Sequence, residues 1–451
     1  MPSLLERVGR STALTAWGDL LPATRVLAPY VILDALGCGL AGVRLGVLAA
    51  LVGDLLGAGG PDESRLWGSD RRLCAAHAAL ANGAVAHHLE LDDGDSRASL
   101  HGGVTVVPAA LAVAEARGAS GRSFLEAVAI GYGAAVACGF PLKEGVDRRQ
   151  LHGPSQVGCL GAAAAAARLY GLGEEGCTDA LAIAAQMMPF GPFEAFSKGA
   201  PVKDLFGGWP AFIGVTSAIL AREGLGGAAS LIEKPLDGLG AFLSPEGSSY
   251  DESRFDAIEL DPDELSQVYF KPYSSCRATH PVLTALEGFA NDPVAAERIG
   301  SIAIETYPFA VDLDAEAVSD NPIGARASLR WCAASMVIDG ELMPEAFTQA
   351  ALADPRRRSL EARVSVTTAP DMVRPVVRGA RVTMTMRDGQ VRRYEAKAPK
   401  WHPGEPATKD QLLAKFRRLA GGAAAGIETA VFALAEAPDL GALSRALGAM
   451  P

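Results

Sequence analysis

Residues 87–101 read HHLELDDGDSRASLH, with three histidines (His87, His88, His101) and four carboxylates (Glu90, Asp92, Asp93, Asp95) in one short stretch. Such groups can bind a metal, move protons or solvate a helix end. A helix advances by about 100° per residue, which puts His87, Glu90 and Asp93 on one side and His88 and Asp92 on another. No HExxH spacing occurs and no single turn gathers three ligands, so no metal is expected. Gly94 is expected to end the helix, leaving His101 on the following loop. Acids near a helix C-terminus oppose its dipole, so capping alone explains them poorly. The stretch reads as a helix end and loop that present a carboxylate and a histidine to a pocket.

Three further stretches add to this. LHGPSQVGCLGAAAAAA places His152 and Ser155 at the start of an Ala-rich helix, where free backbone N–H groups favour an anion. VKDLFGGWPAFIGV sets Lys203 just before an apolar helix, and KPYSSCRATHP groups Lys271, Cys276, Arg277 and His280. The last stretch falls where the texture of the chain changes, and clefts between domains form at such boundaries. Each histidine taken alone is more readily a packing residue than a catalytic one. Taken together, His101, His152, His280 and Lys203 all lie beside Gly- or Pro-bearing loops. His77 and His402 read as packing and connector residues, and neither Lys198 nor Cys276 has separate support for a role.

The elements that must position these residues follow from periodicity. Apolar residues recur at helical spacing over 25–57, 73–91, 104–118, 123–138, 155–170, 176–187 and 208–224. The run LGAAAAAARL (160–169) has few large side chains and is expected at the centre of a bundle. From about residue 265 strands are expected at 301–307, 362–367, 380–386 and 391–397, with a hairpin at Asp388–Gly389 and helices at 278–291 and 324–339. After a Pro-rich connector (398–407), two more helical stretches close the chain. The expectation is a mainly α fold with a helical domain (1–265), a smaller α+β domain (266–402) and C-terminal helices (403–451) that return to the first domain.

Composition bounds the function. The 451 residues are 49% hydrophobic and 21% charged, ordinary for a globular protein and long enough for two domains. A net charge of −11 without a long basic run argues against nucleic acid or an anionic membrane as partner. A small anion held by a local cationic pocket remains compatible with it. The N-terminus has no uninterrupted apolar run of the kind a signal peptide needs. The apolar stretch 27–60 is broken by Asp34, Arg44 and Asp54 and reads as buried helices. Seven dispersed cysteines without a CxxC pair suit reduced thiols, so a cytoplasmic location is expected.

The ordered motifs resemble the MmgE/PrpD family over nearly the whole chain. They are NGAVAHHLELDD (Asn82–Asp93), the loop His101–Gly103, His152 before its Gly/Ala-rich helix, Lys203 in KDLFGGWPAFIG, and K-x-Y-x-x-C-x-x-x-H at Lys271–His280. The resemblance implies a large helical domain built from both chain ends, an α+β lid, a homodimer and a site between the domains. It implies action on small carboxylic acids with no metal or organic cofactor, by active-site residues that map onto His101, His152, His280 and Lys203. The sequence departs from the family at Glu90, where an aspartate is usual, and at Gly94, where a threonine is usual.

The implied reactions share one difficulty, charge developing on a carbon next to a carboxylate, which calls for a positioned base and cationic stabilisation. The expected roles are proton transfer by His101 or His152, and positioning or leaving-group protonation by His280. Lys203 would stabilise charge or hold a carboxylate, and Glu90 would orient a histidine or act as base. Lys271, Arg277, Asp93 and Ser155 complete the substrate-binding set. Loss of a β-hydroxyl is dehydration, ranked first; reprotonation on the other face is epimerisation, ranked second; loss of CO₂ is decarboxylation, ranked third. A binding or assembly protein on the same fold, and a metallohydrolase, are the competing classes.

Overall fold

The protein is described by a computed structural model covering residues 2–46, 49–189, 191–234, 264–290, 294–373 and 378–448, with isolated positions 239, 258 and 260. The helices Ala75–His87, Gly102–Arg117, Gly121–Gly139, Gly153–Leu169, Glu174–Gln186 and Leu205–Arg222 fall where the periodicity predicts them. The predicted stretch 25–57 is two helices, Pro22–Arg44 and Ala49–Gly57.

The Ala-rich helix Gly153–Leu169 is central, packed against the helices Gly102–Arg117, Gly121–Gly139, Glu174–Gln186 and Leu205–Arg222. Ala162 through Ala167 have no exposed surface. Small residues permit this crowding: a Cβ on Gly161 would lie 2.5 Å from the Gly131 carbonyl oxygen, and one on Gly214 would lie 2.4 Å from Ala162 Cβ. Backbones in near contact leave many weak dispersion contacts in place of large side chains. Pro22–Arg44, Gly121–Arg148 and Pro201–Arg222 are long and apolar enough to cross a membrane, and most of each is buried inside the protein.

One core joins both ends of the chain, running from Leu20 to Ala165 and taking in Leu412 to Leu447. The helix Lys409–Ala420 packs on Pro22–Arg44. Their contact contains a buried ion pair, in which Lys415 Nζ donates to Asp34 Oδ1 and to the Leu91 carbonyl, both at 2.6 Å. The C-terminal helix thereby reaches the loop that follows His87.

A second core takes in Phe196 and residues between Tyr273 and Ala396. Its four strands lie in the spatial order Val364–Thr368, Ile299–Thr306, Ala380–Met386, Val391–Ala396; the first pair is parallel and the others antiparallel. Ala380–Met386 alternates buried and half-buried residues, the period-2 pattern of a sheet with one covered face. Gly389, at φ 85°, makes the expected hairpin turn. The short ribbon Ser64–Arg65 with Arg72–Leu73 was not anticipated, since two-residue strands have no periodicity to read. All seven cysteines are free thiols.

Breaking a buried ion pair from one side leaves an uncompensated charge and costs about 3–5 kcal/mol. Lys415→Met is expected to lose that much in a denaturant titration, and the double variant Asp34→Asn/Lys415→Met to recover a large part of it. A single-variant loss under about 1 kcal/mol would show that water reaches the pair.

Candidate active site

The helix that begins at Ala75 ends at His87, well before Gly94. Groups distant in sequence hold the carbonyls at and beyond this end: Lys203 Nζ donates to His87 O (3.0 Å), Ser274 Oγ to Leu89 O (2.6 Å) and Lys415 Nζ to Leu91 O (2.6 Å). Glu90 takes φ 51°, a left-handed conformation that costs free energy for a residue with a Cβ and persists where the surroundings over-determine it. Glu90, Asp92, Asp93 and Asp95 therefore lie on a folded-back loop. The helical-wheel separation of the polar groups does not apply to them.

The loop gathers a buried network. Glu90 is ion-paired with Lys203 and, at 3.0 Å, with Lys271, and its Oε1 lies 3.5 Å from His87 Nε2. Asp92 stands between two imidazoles. Its carboxylate is 3.3 Å from His87 Nδ1, and its Oδ2 is 2.7 Å from His101 Nδ1 in a close but off-axis contact. The His87 ring centroid is 5.5 Å from those of both His101 and His152. His152 caps the Ala-rich helix and packs on Phe206 at 4.7 Å and Phe193 at 5.4 Å.

These groups border a cavity of about 640 Å³ between the two cores, lined on the helical side by Glu90, His101 and His152 and on the other by Tyr269, Arg277, Tyr307, Phe309 and Arg378. Arg277 lies over the Tyr269 ring, 4.3 Å from its centroid. Among the described residues its side-chain hydrogen bonds run through Nη1, to Phe270 O, Lys400 O and His280 Nδ1. None of the described residues accepts a hydrogen bond from Nη2 or Nε.

Other expected site residues lie behind the cavity wall or away from it. Lys203 and Lys271 do not line the cavity; both are buried behind Glu90 and neutralise it. His280 does not line it either. Its Nε2 donates to Ser275 O at 3.2 Å and its Nδ1 faces Arg277 at 3.1 Å, so both nitrogens are occupied and the ring serves to hold the guanidinium. Asp93 lies outside the cavity, with Oδ2 2.6 Å from the Tyr132 hydroxyl and Oδ1 accepting from Gly103 N at 2.8 Å. The Ser155 side chain lies outside the described residues. Lys198 is paired with Glu316, and His77 stacks on Phe212.

Electrostatics divides the roles. Burial would raise Glu90, but Lys203 and Lys271 outweigh it and hold this carboxyl well below its usual range, so it is a poor base. Burial likewise opposes ionisation of Asp92, and Lys271, His87 and His101 overcome it. Burial pushes His101 down, with Lys271 adding to it against the pull of Asp92. Burial and then His87 hold His152 well below its ordinary value. His101 and His152 are neutral imidazoles at neutral pH, the form a general base needs. The Cys276 thiol, also on the wall, is pushed up to about 11 mainly by burial and is no nucleophile at neutral pH.

Two sets, His87/Glu90/His152 and His87/Asp92/His101, have atoms close enough together to hold a cation. The first fits a metal poorly, because two ammonium groups already occupy the Glu90 carboxylate. In the second, Asp92 already balances the charge of Lys271. The sequence reading did not single out Asp92, His87 or Arg378 for the site. Asp92 and His87 were inside the quoted motif, whereas nothing near Arg378 marks it.

Comparison with known proteins agrees with the motifs. The MmgE/PrpD N-terminal domain matches residues 12–250 and the MmgE/PrpD C-terminal domain matches residues 273–437. Cis-aconitate decarboxylase of Homo sapiens is 28% identical over 418 residues, covering 86% of this chain and 81% of its own. The enzyme of that name from Mus musculus is 28% identical over 410 residues, covering 86% and 80%. Cis-aconitate decarboxylase-like protein oryM of Aspergillus oryzae is 25% identical over 418 residues, covering 87% and 85%.

Burial, with Asp34 nearby, lifts the Asp93 carboxyl to about 8 from an ordinary 3.8. Between those values the folded protein holds a proton that the unfolded chain has released. This contribution to stability is full below about pH 4, declines as pH rises and is gone above about 8. Asp93→Asn keeps a neutral group beside Tyr132 and Gly103. Its melting temperature should therefore fall less than that of the unmodified protein between pH 6 and 8.5; parallel curves would place the Asp93 proton elsewhere.

Proposed function

The chain belongs to the MmgE/PrpD family, and on that premise we propose that it is a lyase moving a proton at a carbon next to a carboxylate of a small di- or tricarboxylic acid. The observation that carries the reading is the neutral His101 imidazole, beside the Asp92 carboxylate, at the wall of a cavity that also holds the Arg277 guanidinium. Arg277 takes a substrate carboxylate through Nη2 and Nε. His101 exchanges the proton through Nε2, and Asp92 stabilises the imidazolium formed when the ring is charged. No cofactor is needed for this scheme. The family resemblance further supports a homodimer, and the dispersed thiols a cytoplasmic location.

Decarboxylation is the first reading for the bond that breaks, supported by the curated relatives and by the apolar wall of Phe193, Phe196 and Phe309. A carboxylate turned toward phenylalanine rings loses hydration, and expulsion of CO₂ leaves the electron pair on carbon. A proton from imidazolium then ends on that carbon. Binding of an anion raises the affinity of His101 for that proton. Dehydration is the second reading, favoured by the second neutral imidazole, His152, on the same cavity: one ring removes a proton, and a charged partner protonates the departing hydroxyl.

Proton NMR in D₂O with cis-aconitate and a panel of hydroxy and unsaturated acids should show deuterium entering next to a carboxylate, with CO₂ release marking decarboxylation. His101→Asn should lower kcat by about 10²–10⁴-fold with the fold intact. Asp92→Asn should lower kcat more than it raises KM, since it acts through the ring. Unchanged kcat in His101→Asn would remove that residue from the chemistry. Binding of an acid without any exchange, in the unmodified protein, would favour the non-catalytic class.

A further inference from the structure

A cavity of about 640 Å³ is of the size that holds a drug-sized ligand, well beyond an unadorned tricarboxylic acid. Its charges and its walls both bear on what fills it. In the buried network the Glu90 and Asp92 carboxylates match the Lys203 and Lys271 ammonium groups. At the rim, Lys143 is paired with Asp147 and Arg148 with Glu144. Among the described residues, two lining cations are left without a carboxylate partner. They are Arg277, held deep by His280, and Arg378, whose Nη1 donates to Ser96 Oγ at 3.3 Å. Two unmatched cations call for two carboxylates.

Part of the remaining wall is a continuous aromatic strip. From His152 the rings run to Phe193 (5.4 Å between centroids) and on to Phe309 (5.6 Å), with Phe196 beside Phe193 (5.8 Å). Phe309 is 43% exposed. This strip leads from an imidazole of the site out to solvent. A small polar acid leaves it wet, whereas an apolar group laid on it removes that surface from water.

We propose that the substrate is a dicarboxylic acid bearing an apolar arm, with Arg277 and Arg378 taking the two carboxylates and the arm lying along the Phe193–Phe309 strip. The inference rests on the reading of this cavity as the substrate site and narrows the acid it takes; with both carboxylates on arginines and the arm on the phenylalanines, it goes with the dehydration reading.

The test is isothermal titration of the full chain with succinate, benzylsuccinate and cis-aconitate as probes. Benzylsuccinate should bind at least about tenfold more tightly than succinate or cis-aconitate. Phe309→Ala, at an exposed position that the fold does not need, should shrink that ratio to about threefold or less. Arg378→Gln should weaken succinate and benzylsuccinate by a similar factor of about ten and keep their ratio. Succinate or cis-aconitate binding as tightly as benzylsuccinate, or a ratio untouched by Phe309→Ala, overturns the proposal. Failure of the lyase reading is separately visible, as tight benzylsuccinate binding with no deuterium exchange or CO₂ release from any acid.

Discussion

The Glu90 carboxylate, clasped between the Lys203 and Lys271 ammonium groups, is the interaction on which the rest of the site depends. Charges removed from water are costly unless they are matched, and each of these side chains is at most a few per cent exposed. The three come from separate segments: the loop after Ala75–His87, the turn before Leu205–Arg222, and the irregular segment that leads into the second core. Matching the charges therefore fixes three segments at once. It also accounts for the left-handed Glu90, since the free energy of an unfavourable φ is small beside that of an unmatched ammonium.

That clasp determines what the lysines are free to do. Held by Glu90, they stand behind the cavity wall. Burial, with Lys271 adding to it at His101 and His87 at His152, keeps those two rings neutral, and on the proposed reading contact with an anion passes to Arg277. Arg277 is in turn placed by a histidine that must remain neutral. His280 donates from Nε2 to Ser275 O and offers the Nδ1 lone pair to the guanidinium, an arrangement a protonated ring could not make. Burial, then Arg277 and Lys271, hold His280 in that form. Three of the histidines are thus base-competent or structural for the same reason, burial beside cations.

Elements governed by local pattern were legible in the sequence. Helical periodicity located the long helices, alternation located the four strands, and the lack of bulk in 160–169 located the centre of the bundle. The end of the helix at His87 was not legible, because no Gly or Pro marks it; Lys203, Ser274 and Lys415 set it from far along the chain. The site residues divide in the same way. Residue type and motif identified His101, His152, Glu90 and Arg277, which reach the cavity. They could not separate these from Lys203, Lys271, His280 and Asp93, because whether a charge faces a ligand depends on whether another residue already neutralises it. Pairing of that kind is a tertiary fact.

The cavity takes His101 and His152 from the helical side and Arg277 and Arg378 from the other, so on the proposed reading the catalytic geometry is set by how the two cores meet. The loop that carries Glu90 and Asp92 is itself the seam. Lys271 bonds Glu90, Ser274 bonds the Leu89 carbonyl, and Gly94 pairs with Tyr269 in a short bridge; all three partners lie at the entry to the second core. Each of these bonds also fixes an acid or the backbone beside it. A displacement of about 1 Å between reacting groups is enough to cost orders of magnitude in rate. Building the seam and the site from the same residues removes the freedom that would allow such a displacement.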